Sequence, residues 1–596
     1  MSRILGLSFF YHDAASALVV NGVPVAMAEE ERFSRKKHDA GFPSNAISFV
    51  LQQGGIKPEE LDWVVFYEKP FLKFDRIFKT SLSTFPFAPL YFSHGLKNVF
   101  TSKLWIRETI AKKVGVSQKK ILFAEHHLSH AASAFFASPF EQSAILTIDG
   151  VGEWACATIG KGEGNNITIL KEIHFPHSLG LLYSAFTAFL GFEVNEGEYK
   201  VMGMAPYGKP KYADKVRELV HFFDDGSFSL NLKYFAFHHS TETTFSKAFC
   251  DLFGKPRERQ SQFFTRATGW PSYFGPRPDE ETYRAMAQQQ EYYADIAASV
   301  QQVVEEGIIR LARHAKEQTG MENLCYAGGV ALNSVANWKV AQQTSFREVF
   351  IQPAAGDGGG ALGAALVADT MVEKNERKFC QQHALYGKSY GKEEIQAELE
   401  NTSRVSWSYV EDEQELCEKV AAELAMGRVA GWFQGRFEWG PRALGARSIV
   451  ADPRREDMKD LVNTKIKFRE PYRPFAPSVL AEHAAEFFEL AGREHEYPFR
   501  FMLYVVPVKK EKQGVVPAIT HVDGTARPQL VHKDTLPLYW KLIHAFYEKT
   551  GVPMVLNTSF NLKGEPIVNT PANALSTFQK SGLDLLVLGN FLVYKS

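Results

Sequence analysis

Apolar and polar residues fall into blocks from the first residues onward. ILGLSFF (4–10) is β-branched and aromatic, breaks at the polar turn YHD, and resumes as AASALVV (14–20). NGVP (21–24) then precedes VAMAEEER (25–32). Short β-rich runs bounded by turn residues predict strand, turn, strand, turn, strand. The arrangement returns in AILTI (144–148), the turn DGVGE (149–153), WACATIG (154–160), the turn KGEGNN and ITILKEI (167–173). Two such meanders, each with a polar turn after its first strand, suggest an internal duplication. Chance recurrence of a common hairpin pattern is the competing explanation.

Helical periodicity fills the intervals. SNAISFVLQQGG (44–55) is amphipathic and ends at paired glycines, and YYADIAASVQQVVEEGIIRLARHAKEQTG (292–320) is the longest such stretch. Apolar residues at threes and fours with a closing glycine predict helices there. ENLCYAGGVALNSVANWKVAQ (322–342) and REVFIQPAAGDGGGALGAALVAD (347–369) each read strand, glycine turn, helix. The alternation predicts an α/β domain over residues 1–375. A charged, glycine-punctuated stretch near 370–405 marks a boundary. A second, α+β domain over 400–596 opens with a helix near 412–426 and the strand VAGWF (429–433). It closes with two strands, VPMVLN (552–557) and LDLLVLGNFLVY (583–594). Residues 223–290 are aromatic and polar without a clear period, either a surface insertion or a lid carrying specificity.

Composition narrows the class. A chain of 596 residues exceeds one hydrophobic core. The 67 basic and 68 acidic residues leave a net charge of −1, which gives no overall field toward nucleic acid or an anionic membrane. No run of about 18 uncharged apolar residues predicts a membrane span. Five widely spaced cysteines form no CxxC pair, so neither a disulfide framework nor a thiolate zinc site is expected. With no signal-peptide pattern at the N-terminus, a cytoplasmic location is expected.

Three elements carry candidate chemistry. AGGVALNS (327–334) and GDGGGALG (356–363) are glycine turns of the kind that admits phosphate or ribose to the backbone at a helix start. With hairpins bearing Asp13 and Asp149 in their turns, they resemble the actin, Hsp70 and sugar-kinase superfamily. The third is AEHHLSHAASAFF (124–136), where His126 and His130 share one helical face and His127 points elsewhere. Two imidazoles with Asp149 and Asp357 would suit zinc, iron(II) or manganese. A hydrogen-bonded helix start is the alternative use of such histidines.

The ordered set of motifs resembles the NodU/CmcH family of carbamoyltransferases. It comprises YHDAAS, HHLSHA, DGVGE, EYKVMGMAPYG (198–208), AGGVALN and GDGGGALG. GRFEWGPRALGARSI (435–449), KIKFREPYRPFAP (465–477), DGTARPQ (523–529) and NTSFNLKGEPI (557–567) follow. The resemblance covers nearly the whole chain, most thinly over 223–290. It implies a duplicated actin/Hsp70/sugar-kinase-like N-terminal domain, similar to the subunit that makes threonylcarbamoyl-adenosine on tRNA, and a YrdC-like C-terminal domain. The latter would convert carbamoyl phosphate and ATP to carbamoyl-adenylate. The former would pass the carbamoyl group to a hydroxyl of a small natural product, as in antibiotic biosynthesis.

By the same resemblance a metal, iron(II) in the family, would sit on His126, His130, Asp149 and Asp357, and magnesium can accompany ATP. Carbamoyl phosphate is a compact dianion that needs convergent cationic donors. Arg442, Lys467, Arg473 and Arg527, with Asn557, Ser559 and Asn561, are the residues expected to bind it. Arg436, Arg447, Lys465 and Arg469 lie in the same basic loops, beside Trp439, Phe468, Tyr472 and Phe475 as pocket wall. Lys200, Gly203 and Met204, in a loop, and Gly328, Gly329 and Asn333 would bind nucleotide. His12, Arg442 and Arg473 are the expected catalytic residues, His12 polarising the carbamoyl group or taking the acceptor's proton. The rivals are a small-molecule kinase, a tRNA-modifying enzyme and a non-catalytic nucleotide-dependent switch. No nucleic-acid or membrane partner is expected, and the oligomeric state is open, a dimer included.

Overall fold

The computed structural model describes residues 2–84, 105–259, 261–271, 274–470 and 472–596. The chain divides into two compact units. The first comprises Met1–Glu30, His38–Gln262 and Gln288–Cys380, and the second Glu31–Lys37, Phe263–Ala287 and Gln381–Ser596.

The first unit contains two five-stranded sheets. One is built from β1 (Arg3–Ser8), β2 (Ala15–Val20), β3 (Val23–Glu29), β4 (Trp63–Phe66) and β5 (Ile121–Phe123), in the order β3-β2-β1-β4-β5. The other uses β6 (Gln142–Ile148), β7 (Ala155–Glu163) and β8 (Asn166–His174). After the short hairpin β9 (Val220–Phe222) and β10 (Phe228–Leu230), it adds β11 (Asn323–Ala327) and β12 (Glu348–Ile351). Its order is β8-β7-β6-β11-β12. In each sheet an antiparallel meander is continued by two strands parallel to its first strand. One topology therefore occurs twice, as the repeated hydrophobic pattern suggests.

Two helices position the site, His126–Phe135 and Asp357–Leu366, and they pack on each other. Glycine makes the approach possible. A Cβ on Gly363 would lie 1.8 Å from the Ser129 carbonyl oxygen, and one on Gly6 of β1 would lie 1.9 Å from that of Ala361. The helix Glu280–Thr319 starts well before position 292, because its first turns carry too few apolar residues to show a period; it ends at Gly320, with φ of 67°.

The second unit holds an eight-stranded sheet. Its strands come from β13 (Val405–Tyr409), β14 (Ala430–Phe433), β15 (Arg447–Ala451), β16 (Ala476–Leu480), β19 (Gln529–Val531), β20 (Met554–Ser559), β21 (Leu585–Leu588) and β22 (Phe591–Lys595). Between β16 and β19 in sequence, β17 (Val506–Pro507) and β18 (Thr525–Ala526) form a separate antiparallel pair. LDLLVLGNFLVY is two antiparallel strands rather than one, because Gly589, at φ of 52°, and Asn590 turn the chain between them.

Residues 31–37 and 263–287, within the sequence limits of the first domain, fold with the second unit. Side-chain chemistry explains both. Arg32 donates to the Gly440 carbonyl at 2.6 Å, and Arg35 to those of Pro566 and Ile567 at 2.8 and 2.7 Å. Phe263 meets the Tyr472 ring edge-on, with 4.8 Å between ring centres, and behind it Phe264, Tyr283 and Ala287 form a small apolar cluster with Trp270, Phe274 and Met286. Among the described residues no helix is long and apolar enough to cross a membrane.

Candidate functional site

His126 and His130 lie on the first turns of their helix and are buried, at 2% and 0% exposure. Their Nε2 atoms are 3.1 Å apart, and each lies 3.0 Å from Asp149 Oδ2. Asp357 Oδ1 is 3.8 Å from His126 Nε2 and 3.6 Å from His130 Nε2. One ligand atom from each of the four residues falls within a 4.8 Å cluster. Atoms held about 2.0–2.2 Å from one cation lie roughly 2.8–3.6 Å apart at cis-octahedral or tetrahedral angles and about 4–4.4 Å apart when trans. The donor set and its spacing therefore fit a divalent metal.

The surroundings orient these ligands, as outer partners of a metal site do. Asp149 Oδ1 accepts from the backbone N–H of Gly150 at 2.7 Å and of Gly329 at 3.3 Å, which turns Oδ2 toward the histidines. Tyr67 donates to Asp357 Oδ2 at 3.1 Å, leaving Oδ1 on the cluster side. Burial alone would push His130 down, but hydrogen bonds and charge from Asp149 and Asp357 win, and it is raised to about 9. Hydrogen bonds from both histidines hold Asp149 well below the usual carboxylate range in spite of burial.

His127 is outside the cluster. Its Nδ1 meets Thr147 Oγ1 at 2.6 Å and its Nε2 the Ala155 carbonyl at 2.8 Å. Burial and the two neighbouring imidazoles lower it to about 3, so it stays neutral. Glu153, which sequence reasoning misses, accepts the His126 N–H at 3.0 and 3.1 Å and the Lys69 N–H at 2.7 Å. It satisfies an orphan donor at the start of the ligand helix. Nothing in the sequence ties it to His126, 27 residues earlier.

His12 lies in the turn after β1. Its Nδ1 meets Asp13 Oδ2 at 3.1 Å, and Asp13 Oδ1 meets His38 Nδ1 at 2.7 Å. Phe10 and Asp13 both sit at positive φ, 71° and 54°. Strain of this kind persists only where its surroundings hold it, and N–H bonds from Phe10 and Ala14 to the Ala40 and Asp39 carbonyls do so. Burial would lower His12, but the Asp357 charge and the Asp13 hydrogen bond raise it to about 9. Raised in this way His12 is held as a proton donor; a cation on the cluster would offset the Asp357 charge and bring it back down.

The residues expected at nucleotide divide. Gly328, at φ of 94°, admits no Cβ, which would lie 2.2 Å from the Ile148 carbonyl oxygen, and Gly329 braces Asp149. Gly329 thus serves the metal cluster directly, and Gly328 lets the chain pass close to Ile148, the residue before Asp149. Asn333 Oδ1 caps the next helix through the Ala336 N–H, and its amide also exchanges hydrogen bonds with Gln301, so its polar atoms are engaged. Lys200, Gly203 and Met204 lie on the helix Glu198–Met204, not in a loop, and Met204 is fully buried in the core. In GDGGGALG the glycines sit inside a helix: a Cβ on Gly359, Gly360 or Gly363 would strike Ala354, Tyr67 or Ser129. Those three serve packing, and Asp357 opens the helix instead of sitting in a loop.

In the second unit the charges of Arg442, Arg469 and Arg473 act on Arg527, which burial and those charges together hold well below its ordinary pKa. Arg527 makes no hydrogen bond or ion pair with a described residue, and its Nε is buried. Arg473 lies 3.6 Å from Glu470. Cations gathered in this way suit an anionic ligand. Lys467 differs: its Nζ contacts the Ser559 and Asn561 carbonyls at 2.7 and 2.9 Å and their side-chain oxygens at 3.3 and 2.6 Å. It ties down the 559–561 loop. Asn557, 2% exposed, donates to the Ala443 carbonyl and to Ser478 Oγ, while its Oδ1 has no hydrogen-bond partner among the described residues. Arg447 is fully buried and binds four backbone carbonyls; Arg436 binds two. Both are structural. Trp439, Tyr472 and Phe475 are buried as a wall would be, but Phe468 is 50% exposed.

Comparison with known proteins places these features. The family model for the carbamoyltransferase N-terminus matches residues 3–366, and that for the carbamoyltransferase C-terminus matches 421–595. The chain is 44% identical to an uncharacterised protein of Synechocystis, over 100% of this chain and 97% of that one. It is 38% identical to the nodulation protein NolNO of Sinorhizobium fredii, over 98% of this chain and 79% of that one. A 3'-hydroxymethylcephem-O-carbamoyltransferase of Amycolatopsis lactamdurans is 34% identical over 45% of this chain and 48% of its own.

Proposed function

The chain belongs to the carbamoyltransferase family, and from that membership we propose that it is an ATP-dependent O-carbamoyltransferase for a small hydroxyl-bearing metabolite. The observation that carries the reading is the set of His126, His130, Asp149 and Asp357, three buried and one half-buried, with one ligand atom from each within 4.8 Å of the others. A kinase of similar topology has no need of it.

In this reading the second unit joins carbamoyl phosphate and ATP into carbamoyl-adenylate. Arg527, with Arg442 and Arg473 near it, binds the dianion, and Lys467 holds Ser559 and Asn561 in place at the same pocket. The first unit transfers the carbamoyl group. A divalent metal on the four ligands, iron(II) being the family's, would supply Lewis acidity toward phosphate or carbonyl oxygen. His12 has its Nδ1 fixed on Asp13, so its Nε2 is the atom left to exchange a proton with the acceptor hydroxyl or the leaving group. The acceptor is a small molecule, not a nucleic acid, whose binding rests on neutralised phosphates; a net charge of −1 is consistent with that.

The test is product analysis. Incubation with carbamoyl phosphate, ATP and a hydroxyl acceptor should yield the O-carbamate with AMP, pyrophosphate and phosphate. ADP with a phosphorylated acceptor would overturn the reading in favour of a kinase.

A further inference from the structure

The helix Pro70–Thr84 carries a buried cation that no described residue neutralises. Arg76 is 9% exposed, makes no hydrogen bond or ion pair with any described residue, and has an Nη1 sealed from solvent. The acids nearest in sequence are committed elsewhere. Glu68 pairs with Lys73 at 2.5 Å, and Asp75 accepts from Lys79 at 2.9 Å and from the Trp154 indole at 3.2 Å.

The guanidinium faces the metal cluster's surroundings. Its Cζ stands 5.1 Å from the centre of the Phe175 ring. Its helix neighbours touch both turns, Lys73 Nζ standing 5.2 Å from the centre of the Tyr11 ring and Asp75 accepting from the Trp154 indole, and the Arg76 charge acts on the Tyr11 hydroxyl and the Cys156 thiol. Tyr11 precedes His12, and the Cys156 carbonyl accepts the Asp149 N–H at 2.9 Å. Arg76 thus addresses both hairpin turns that flank the four ligands.

A buried charge is normally paired, and arginine cannot shed its proton to escape the cost. Its planar fork suits two oxygens of a phosphate or carboxylate. We propose that Arg76 is an oxyanion subsite of the transfer site, taking the phosphate or carboxylate group of a bound ligand. The inference rests on the first unit being the transfer site. Two sources share this chemistry, the phosphate of the adenylate and an acidic group on the carbamoyl acceptor.

The experiment uses the full-length enzyme and its Arg76→Met and Arg76→Lys variants. AMP and adenosine are titrated calorimetrically, and wild-type crystals are soaked in selenate with and without AMP. If the adenylate phosphate is the ligand, AMP affinity falls about tenfold or more in Arg76→Met and less in Arg76→Lys. Adenosine affinity holds, and AMP displaces selenate from Arg76. If the acceptor supplies the anion, AMP affinity is unchanged and selenate occupies Arg76 together with AMP. Unchanged AMP affinity with no selenate at Arg76 overturns the proposal. Removing an unpaired buried charge should leave Tm level or higher; a large fall in Arg76→Met would show a structural arginine and also overturn it. Should the wild type bind neither AMP nor adenosine, the nucleotide reading of this unit fails, while the selenate soak still decides the subsite.

Discussion

The 3.1 Å approach of the His126 and His130 Nε2 atoms is unfavourable by itself, since two neutral acceptor nitrogens repel. Protons shared with Asp149 or a common cation resolve it, and Asp357 supplies a second carboxylate on the same side. His130→Ala and Asp149→Asn are therefore expected to lose the bound metal, read by elemental analysis of freshly purified protein. Full metal content in either would remove that residue from the site. His127→Phe should keep the metal and instead lower stability by about 1–3 kcal/mol, because Thr147 Oγ1 and the Ala155 carbonyl lose their partner. Metal loss in that variant with the fold intact would contradict its structural role. The i, i+4 spacing puts His126 and His130 on one helical face from the sequence alone and a turn position marks Asp149, whereas Asp357, read as a loop residue, opens a helix. Glu153 and the Asp13–His38 contact are not legible there, because each joins residues far apart in sequence that only the packed fold brings together.

At the scale of elements, the helix Asp357–Leu366 delivers Asp357 because its glycines let it sink against neighbouring backbone. Gly363→Ala should cost about 3 kcal/mol or more and loosen the metal with it, since the added Cβ would lie 1.8 Å from the Ser129 carbonyl oxygen. Gly358→Ala is the control, with no neighbour nearer than 3.9 Å to its Cβ. Equal melting temperatures for the two variants would refute this account of the packing. A glycine run looks the same in sequence whether it makes room for a phosphate or for another helix, which is why GDGGGALG reads as a ligand turn. The same limit applies to Met204 and Asn333: a motif carries residue types, and packing decides which of them face a ligand. Loop or helix is also undecidable for EYKVMGM, too short a stretch to show a period.

For the whole molecule, the meander pattern reveals the repeat, and the sheets match it strand for strand in order and direction. The division into units is less visible, because residues 31–37 and 263–287 join the second unit through contacts that leave no composition signal. The proposed division of labour assigns adenylate formation to the arginine pocket and transfer to the metal cluster. It follows that the two half-reactions should fail separately. The decisive measurement is carbamoyl phosphate-dependent exchange of labelled pyrophosphate into ATP, set beside carbamate formation, in the His130→Ala and Arg527→Met variants. His130→Ala should retain the exchange while losing carbamate product, and Arg527→Met should lose both. Exchange that persists undiminished in Arg527→Met, or disappears in a folded His130→Ala, would contradict the account.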